Sequence, residues 1–290
     1  MPPIPVLRTP NELRTWRSRA LGSRLALTPT MGALHDGHLS LVRHARAHAD
    51  VVLASIFVNP TQFGPNEDFQ TYPRDEAGDL ALLAAAGCDA VYAPAAEAIY
   101  PPGFDTTVSV ASVAAPLEGA FRPHHFTGVA TVVAKLLIQA SPDCAVFGEK
   151  DYQQLQVIRR MALDLDLHVE ILGAPIVREA DGLALSSRNV YLSPSERAIA
   201  PALYAALATA ARSLAEGELI TIVEQIACDS VVAAGFESVD YLEVRHTASL
   251  KRLSPGPLEE EARILTAARL GRTRLIDNIA ATRRPARADA

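Results

Sequence analysis

The chain has 290 residues, of which 49% are hydrophobic, and this length fits two domains of ordinary size with a substantial core. Its formal net charge of -6 at pH 7 argues against broad binding to nucleic acid or to an anionic membrane surface, although a small anionic ligand needs only a few local donors. Three widely spaced cysteines without a C-x-x-C pair argue against a disulfide framework and against a cysteine-based zinc site.

The sequence shows neither a secretory signal nor a membrane-spanning stretch. The first residues lack the charged start and apolar run of a secretory signal, and no apolar stretch approaches the ~20 residues needed to span a bilayer. The polar last residues, ATRRPARADA, are expected to be disordered. The sequence therefore predicts a soluble cytoplasmic protein.

Strand-like and helix-like segments alternate through the first part of the chain. The predicted strands are 24–30, 51–59, 88–94, 144–148 and 168–177, and the predicted helices are 38–49, 76–87, 126–140 and 151–165. This alternation indicates βαβ units and hence an α/β, Rossmann-like, doubly wound parallel sheet covered on both faces. Ligands of such sheets bind beyond the carboxyl ends of the strands.

The pattern changes after residue 177. Ser193 and Glu196 form a capping-box signature before an alanine-rich helix. Short predicted strands follow at 239–245, 263–270 and 273–279. We therefore predict two domains: a Rossmann-like nucleotide- and substrate-binding domain at 1–177, and a smaller α+β lid domain with a short antiparallel sheet at 178–290.

Two histidines stand where a long helix is predicted to begin, in the stretch TPTMGALHDGH. Unpaired N–H groups at a helix start attract phosphate, and Gly32 and Gly37 allow a ligand to approach the backbone. Histidine donates hydrogen bonds to phosphate and exchanges protons near neutral pH, so His35 and His38 are candidate phosphate ligands. An exposed turn without function is the alternative, and zinc is disfavoured because HExxH is absent.

Polar stretches also follow two other predicted strands. FVNPTQF places Asn59 and Gln62 there, and a glutamine amide suits a ligand with a hydroxyl and a carboxylate; a plain Asn-Pro turn is the alternative. FGEKDYQQ places Lys150 there, a point charge suited to phosphate, with a solvated charge cluster as the alternative. Of Gln153 and Gln154, one is expected to face the ligand, and the sequence does not choose between them.

Two further segments are weaker candidates. The loop VREADGLALSSRN offers two hydroxyls and the guanidinium of Arg188, which suit a triphosphate, but an isolated SSR is weak evidence. His124 and His125 precede a helix whose predicted N-cap is Thr127. The sequence leaves open whether either histidine contacts an anion.

Together these blocks resemble the pantothenate synthetase (pantoate–β-alanine ligase) family of the nucleotidylyltransferase superfamily. TPTMGALHDGH, FVNPTQF, GEKDYQQL and VREADGLALSSRN occur in the order and spacing of that family, and the similarity runs through YLEVR and RLIDNIA to about residue 281. HxGH alone indicates only the superfamily, whereas the four blocks together are highly specific.

The resemblance implies an AMP-forming, carbon–nitrogen bond-forming ligase. Such an enzyme condenses (R)-pantoate with β-alanine, using ATP as co-substrate and releasing AMP and pyrophosphate through a pantoyl-adenylate intermediate. It also implies Mg²⁺ accompanying the ATP, no metal site built from protein side chains alone, and a homodimer. Two alternatives stay open: a nucleotidylyltransferase that stops at nucleotide transfer, and a non-catalytic nucleotide-binding regulator.

The resemblance also implies the site residues. The expected ATP contacts are Met31, Gly32, Ala33, Leu34, His35, Asp36, Gly37, His38, Gly148, Glu149, Lys150, Asp151, Val177, Leu185, Ser186, Ser187 and Arg188. The expected catalytic residues are His38, as proton donor, with His35, Lys150 and Arg188. The expected substrate ligands are Gln62, shared by pantoate and β-alanine, and Gln154 for pantoate. Asn59 is a further expected substrate ligand, because it lies at the carboxyl end of a predicted strand. Leu185 replaces the usual methionine of the family, a change of similar volume.

Overall fold

A computed structural model of the protein describes residues 3–64, 67 and 69–283. The chain divides into two compact units, Met1–Val177 and Arg178–Ala290. The predicted disorder of the C-terminal tail falls, from residue 284 onward, outside the described residues.

The first unit alternates strands and helices, as the sequence predicts. Its strands are β1 (Val6–Leu7), β2 (Leu25–Thr30), β3 (Val51–Ile56), β4 (Ala90–Tyr92), β5 (Cys144–Gly148) and β6 (Glu170–Ala174). Its helices are α1 (Pro10–Arg19), α2 (Asp36–Arg46), α3 (Glu76–Ala85), α4 (Ala96–Ile99), α5 (Glu118–Phe121), α6 (His125–Ala140) and α7 (Tyr152–Asp164). Two 3-10 turns follow strands, at Pro60–Gln62 and Glu149–Asp151.

The six strands form one parallel sheet in the order β1-β4-β3-β2-β5-β6. From β2 the chain moves outward on one side through β3 and β4, and it returns to the other side of β2 for β5 and β6. The strand order therefore reverses between β2 and β5, which is the place where open α/β sheets bind ligands. The predicted Rossmann-like, doubly wound sheet is confirmed.

The second unit is a smaller α+β structure, as predicted. Its helices are α8 (Pro194–Ile199), α9 (Ala202–Ala215) and α10 (Ile220–Ala233), and its antiparallel strands are β7 (Ser238–His246), β8 (Ala262–Leu270) and β9 (Thr273–Ala281). The capping box of Ser193 and Glu196 is present at the start of α8. A 3-10 turn, Ser187–Tyr191, precedes it, and α10 is a helix that the sequence reading did not predict.

One helical run in the described part of the chain is long and apolar enough to cross a membrane, by length and composition only. This run is Pro194–Ala215, with 22 residues. Its most apolar 18-residue window has a mean hydropathy of 1.3, and 28% of that window is buried. The expectation that no apolar stretch approaches this length was therefore wrong. Alanines raise the hydropathy of the run, while Leu203, Leu207 and Leu214 pack in the apolar clusters of the second unit, as side chains of a core helix do.

Candidate active site

The structure brings His35, His38 and Lys150 together at the switch point of the sheet. The two histidines stand at the start of α2, directly after β2, and Lys150 stands in the turn after β5. Since β2 and β5 are paired neighbours, their carboxyl ends open at the same edge. Burial lowers the pKa of both histidines most, and the positive charge of Lys150 lowers it further.

His35 and His38 cap α2 reciprocally. Nδ1 of His35 accepts a hydrogen bond from the backbone N–H of Gly37 at 3.1 Å, and Nδ1 of His38 accepts one from the N–H of His35 at 3.4 Å. The ring centroids lie 4.1 Å apart. Because Nδ1 of each ring accepts, each neutral imidazole carries its proton on Nε2. Each ring therefore has an Nε2–H donor that helix capping does not use.

Both histidines are neutral at neutral pH in the ligand-free protein. Burial lowers the pKa of His38 to about 3; the charge that His35 carries once it is protonated, and the charge of Lys150, add to the effect. Burial and Lys150 also lower the pKa of His35, while Asp36 and Asp151 oppose the shift. A bound anion thus meets two hydrogen-bond donors and one ammonium group at this site.

Asn59 is buried, and its side chain links the turn that carries Gln62 to helix α6. It is 1% exposed, and its amide nitrogen donates to the carbonyl of Gly128 at 3.1 Å and to Oε1 of Gln62 at 3.2 Å. Its amide oxygen accepts from the hydroxyls of Tyr100 at 2.8 Å and Thr61 at 3.0 Å. In the ligand-free protein the Asn59 amide therefore contacts protein groups and orients Gln62, and its binding of substrate stays a prediction.

Gln62 is held at both its side chain and its backbone. Its amide nitrogen donates to the sulfur of Met31 at 3.0 Å. Its carbonyl accepts from Nδ1–H of His125 at 3.0 Å and from the guanidinium of Arg122 at 3.3 Å. Burial lowers the pKa of His125, so that this ring acts as a neutral donor. Of the two adjacent histidines, His125 thus fixes the Gln62 turn, whereas His124 is exposed.

Helix α6 approaches this turn closely through Gly128. A Cβ atom added at Gly128 would lie 2.4 Å from the carbonyl oxygen of Thr61 and 2.8 Å from the backbone nitrogen of Gln62. Only glycine lets the helix and the turn approach to this distance. The predicted N-cap, Thr127, lies inside α6, which begins at His125; that prediction was wrong because the helix starts one residue after His124, without a side-chain cap.

The segment after β5 carries the second group of predicted ATP contacts. Gly148 ends the strand with an ordinary φ of -74°, and a Cβ added there would make only normal contacts, the nearest at 3.7 Å. Nζ of Lys150 lies 3.9 Å from a carboxylate oxygen of Asp151, and its side chain is 22% exposed. Glu149 belongs to the same 3-10 turn.

The structure distinguishes the two glutamines at the start of α7. Gln153 is buried, accepts from the backbone N–H of Glu118 at 3.0 Å, and donates to the carbonyls of Val113 at 3.0 Å and Pro116 at 2.6 Å. It therefore anchors the segment before α6. Gln154 is half-buried, and within the part of the chain that the structure describes it makes no comparable anchoring bonds, so that it stays the candidate for ligand binding.

The predicted ATP contacts of the second unit lie in an ordered turn. The hydroxyl of Ser186 accepts from the backbone N–H of Arg188 at 3.3 Å and caps the 3-10 turn that follows. The side chain of Asn189 donates to the carbonyl of Ala184 at 3.1 Å. Leu185 is half-buried, as is Val177 at the end of the first unit.

Asp79 of α3 is a residue near the site that sequence reasoning missed. Its carboxylate accepts hydrogen bonds from the backbone N–H groups of Ala33 and Leu34, in the loop that precedes His35. Asp79 lies in no recognisable motif. Its position in the sequence could have identified it, because it lies one helical turn before the fully buried Leu83. This spacing places a carboxylate on the apolar face of the helix.

The chain matches known proteins over nearly its whole length. Residues 5–280 match the family model described as Pantoate-beta-alanine ligase. Similar curated proteins include the pantothenate synthetases of Caulobacter vibrioides, 59% identical over 280 residues (95% of this chain, 98% of the relative), and Rhodospirillum rubrum, 55% identical over 280 residues with the same coverage.

Solved structures agree with this assignment. Pantothenate synthetase from Thermus thermophilus superposes with a TM-score of 0.90 at 46% identity, covering 95% of this chain and 99% of that one. Pantoate-beta-alanine ligase from Francisella tularensis, complexed with Beta-gamma ATP and Beta-alanine, gives 0.79 at 34% identity, covering 95% and 97%. The resemblance predicted from the four sequence blocks is thereby confirmed, and the chain is an enzyme that belongs to the pantoate–β-alanine ligase family.

Proposed function

We propose that this ligase activates (R)-pantoate with ATP as a pantoyl-adenylate, which β-alanine then attacks to give pantothenate, AMP and pyrophosphate. The observation that carries the proposal is the cluster of His35, His38 and Lys150 at the switch point of the parallel sheet. Two Nε2–H donors, an ammonium group and a helix N-terminus suit a polyphosphate. The Francisella relative, whose structure holds ATP and β-alanine, supports the same pairing of ligands.

In the first step, a carboxylate oxygen of pantoate attacks the α-phosphorus of ATP, and the bond to the β-phosphate oxygen breaks, releasing pyrophosphate. Such a transfer depends on positioning and on stabilising charge, with little covalent help from the protein. Lys150 and His35 bind the phosphates. His38 donates from Nε2 as negative charge moves to the leaving group, and the charge of the triphosphate favours protonation of its ring.

In the second step, the amine of β-alanine attacks the carbonyl carbon of the mixed anhydride. The bond from that carbon to the phosphate oxygen breaks, AMP leaves, and the new amide nitrogen loses a proton. Gln62, held by Asn59, and Gln154 orient the pantoyl group. A covalent enzyme intermediate is unnecessary because AMP is already a good leaving group.

The remaining features follow from the family resemblance. Among the described residues no group of three or more His, Cys, Asp or Glu side chains is arranged to hold a metal ion. Mg²⁺ would accompany the ATP phosphates, where its charge would offset theirs. ATP contacts by residues 185–188, a homodimer and a cytoplasmic location belong to the same proposal.

One assay tests the proposal against its alternatives. ATP is supplied with pantoate, with and without β-alanine, and AMP, pyrophosphate and pantothenate are measured. Turnover of ATP to AMP and pyrophosphate only when β-alanine is present supports the ligase. Pyrophosphate release that continues without β-alanine, with a stable adenylate as product, would support a nucleotidylyltransferase, and no ATP consumption would support a binding protein.

Gly148→Ala tests whether the nucleotide lies against the end of β5. The fold accepts a Cβ here, because φ is ordinary and the nearest neighbour lies 3.7 Å away. We expect an unchanged thermal midpoint and a KM for ATP raised about tenfold, since a methyl group would occupy the path of the phosphates. Gly256→Ala, where nothing lies within 4 Å, is the matched control. An unchanged KM for ATP would remove Gly148 from the nucleotide site.

A further inference from the structure

Asp79 occupies an unusual position for an acidic side chain. It lies on α3, is 4% exposed, and shares the buried face of the helix with Leu83. A buried carboxylate without compensating hydrogen bonds is strongly unfavourable. The structure gives it two donors from one short loop: the N–H of Ala33 at 2.9 Å to Oδ2 and the N–H of Leu34 at 2.8 Å to Oδ1.

The loop that Asp79 holds has a backbone shape that side chains disfavour. Gly32 has φ of +82° and Ala33 has φ of 51°, both in the left-handed region. For alanine this conformation is strained, and it persists only where the surroundings impose it. Asp79 accepts one hydrogen bond from the strained residue and one from the residue after it, so these two bonds impose the conformation.

Gly32 also packs closely against the carboxylate of Asp79. A Cβ added at Gly32 would lie 2.9 Å from Oδ2 of Asp79 and 3.3 Å from the side chain of Ile56. Gly32 is therefore required both for its φ and for the approach of the carboxylate. Burial raises the pKa of the Asp79 carboxyl above its usual value, and the N–H groups of Leu34 and Ala33 oppose this shift only in part. Their two hydrogen bonds compensate the burial of the carboxyl group.

We infer that Asp79 is a positioning residue of the nucleotide site: its carboxylate fixes residues 31–34 in the shape that delivers His35 to the head of α2. The loop enters α2 at His35, whose ring caps the helix and reaches the cluster with His38 and Lys150. A small change in the backbone at residues 33 and 34 would turn the cap and shift both imidazoles relative to a bound phosphate. The inference rests on the ATP-dependent reaction proposed above.

Asp79→Asn tests it with minimal change of shape. The amide keeps one acceptor oxygen but turns an NH₂ group toward the second backbone N–H, so one hydrogen bond is lost. We expect the affinity for a non-hydrolysable ATP analogue, measured by calorimetry on the full chain, to fall about tenfold, with KM for ATP rising and KM for β-alanine unchanged.

Asp75→Ala is the control for helix stability. Asp75 caps the same helix by accepting from the N–H of Gly78 at 3.0 Å, and no hydrogen bond of its side chain reaches the loop within the described residues. Its removal is expected to lower the thermal midpoint without changing nucleotide affinity. Gly32→Ala is a second probe, because it presses on the carboxylate from the loop side while Asp79 stays in place.

The outcomes separate the possibilities. A loss of nucleotide affinity in Asp79→Asn and Gly32→Ala that exceeds the loss in Asp75→Ala, at an equal or smaller change in thermal midpoint, supports the positioning role. If Asp79→Asn binds the analogue like the wild type, or loses no more affinity than Asp75→Ala, the inference is wrong while the proposed function stands. A wild-type protein that neither binds nor consumes ATP would overturn both.

Discussion

Replacing Gly128 by alanine should destabilise the protein, although alanine is the better helix former. Gly128 lies in the first turns of α6, where the substitution alone would favour the helix by about 1 kcal/mol. The new Cβ, however, would lie 2.4 Å from the carbonyl oxygen of Thr61 and 2.8 Å from the backbone nitrogen of Gln62. Backbone atoms cannot rotate away, so the helix or the turn must move.

The size of the effect follows from these contacts. Overpacking against backbone costs about 1–3 kcal/mol, and loss of the hydrogen bond from Asn59 to the Gly128 carbonyl adds about 1 kcal/mol. After the gain in helix propensity, we expect a net destabilisation of about 1–3 kcal/mol. Because the turn carries Gln62, we also expect a raised KM for pantoate.

Thermal unfolding followed by circular dichroism, together with steady-state kinetics, measures both consequences. The thermal midpoint should fall by about 2–10 °C, and KM for pantoate should rise while KM for ATP changes little. Gly256→Ala, at a glycine with open space around it, should change neither quantity. A Gly128→Ala protein with an unchanged or higher midpoint and an unchanged KM for pantoate would refute the reasoning.

Two further predictions concern His38 and the second unit. Because the pKa of His38 falls from 6.5 to about 3 on folding, the unfolded chain binds the extra proton, and stability is lost as pH falls through this range, by about 1.4 kcal/mol per unit. His38→Asn, which keeps a capping oxygen, should flatten this dependence in chemical denaturation at a series of pH values. Arg178→Lys should cost about 3 kcal/mol in chemical denaturation, because Asp277, 4% exposed, would lose its paired hydrogen bonds at 2.7 and 2.8 Å.

Each of these predictions has a clear opposite result. If His38→Asn retains the full acid sensitivity of the wild type, the buried ring is not its source. For the second unit, Arg197→Lys is the control, since Arg197 pairs with Glu179 and Asp181 on a side chain that is 32% exposed. Equal losses of stability in Arg178→Lys and Arg197→Lys would contradict the importance of burial.

The sheet was predictable from the sequence because its signals are local. The run 144–148 coincides with β5, and the predicted strand 24–30 differs from β2 by a single residue. The capping box at Ser193 also needs only neighbouring residues. Blocks of polar residues at strand ends gave the switch-point cluster, because parallel strands bring their carboxyl ends to one edge.

Sequence reasoning failed where a role depends on contacts between distant segments. No local pattern indicates that the amide of Asn59 contacts the carbonyl of Gly128 and the hydroxyl of Tyr100. Asp79 is separated from the loop it holds by more than forty residues, and no local pattern links them. Gln153 and Gln154 are adjacent and chemically identical, so that only burial and the hydrogen bonds of Gln153 to distant backbone groups distinguish them.

The pairing of β2 with β5 also has a consequence for how the protein folds. Ala26 lies beside Cys144 and Leu27 beside Ala145, so this contact closes a loop of more than a hundred residues. The pairs of β2 with β3 form across a much shorter stretch and carry no such entropic cost. During refolding, helix α2 and its histidine cap can therefore form before Lys150 reaches them. Recovery of activity should lag behind recovery of secondary structure, because the cluster is completed only when β5 pairs with β2.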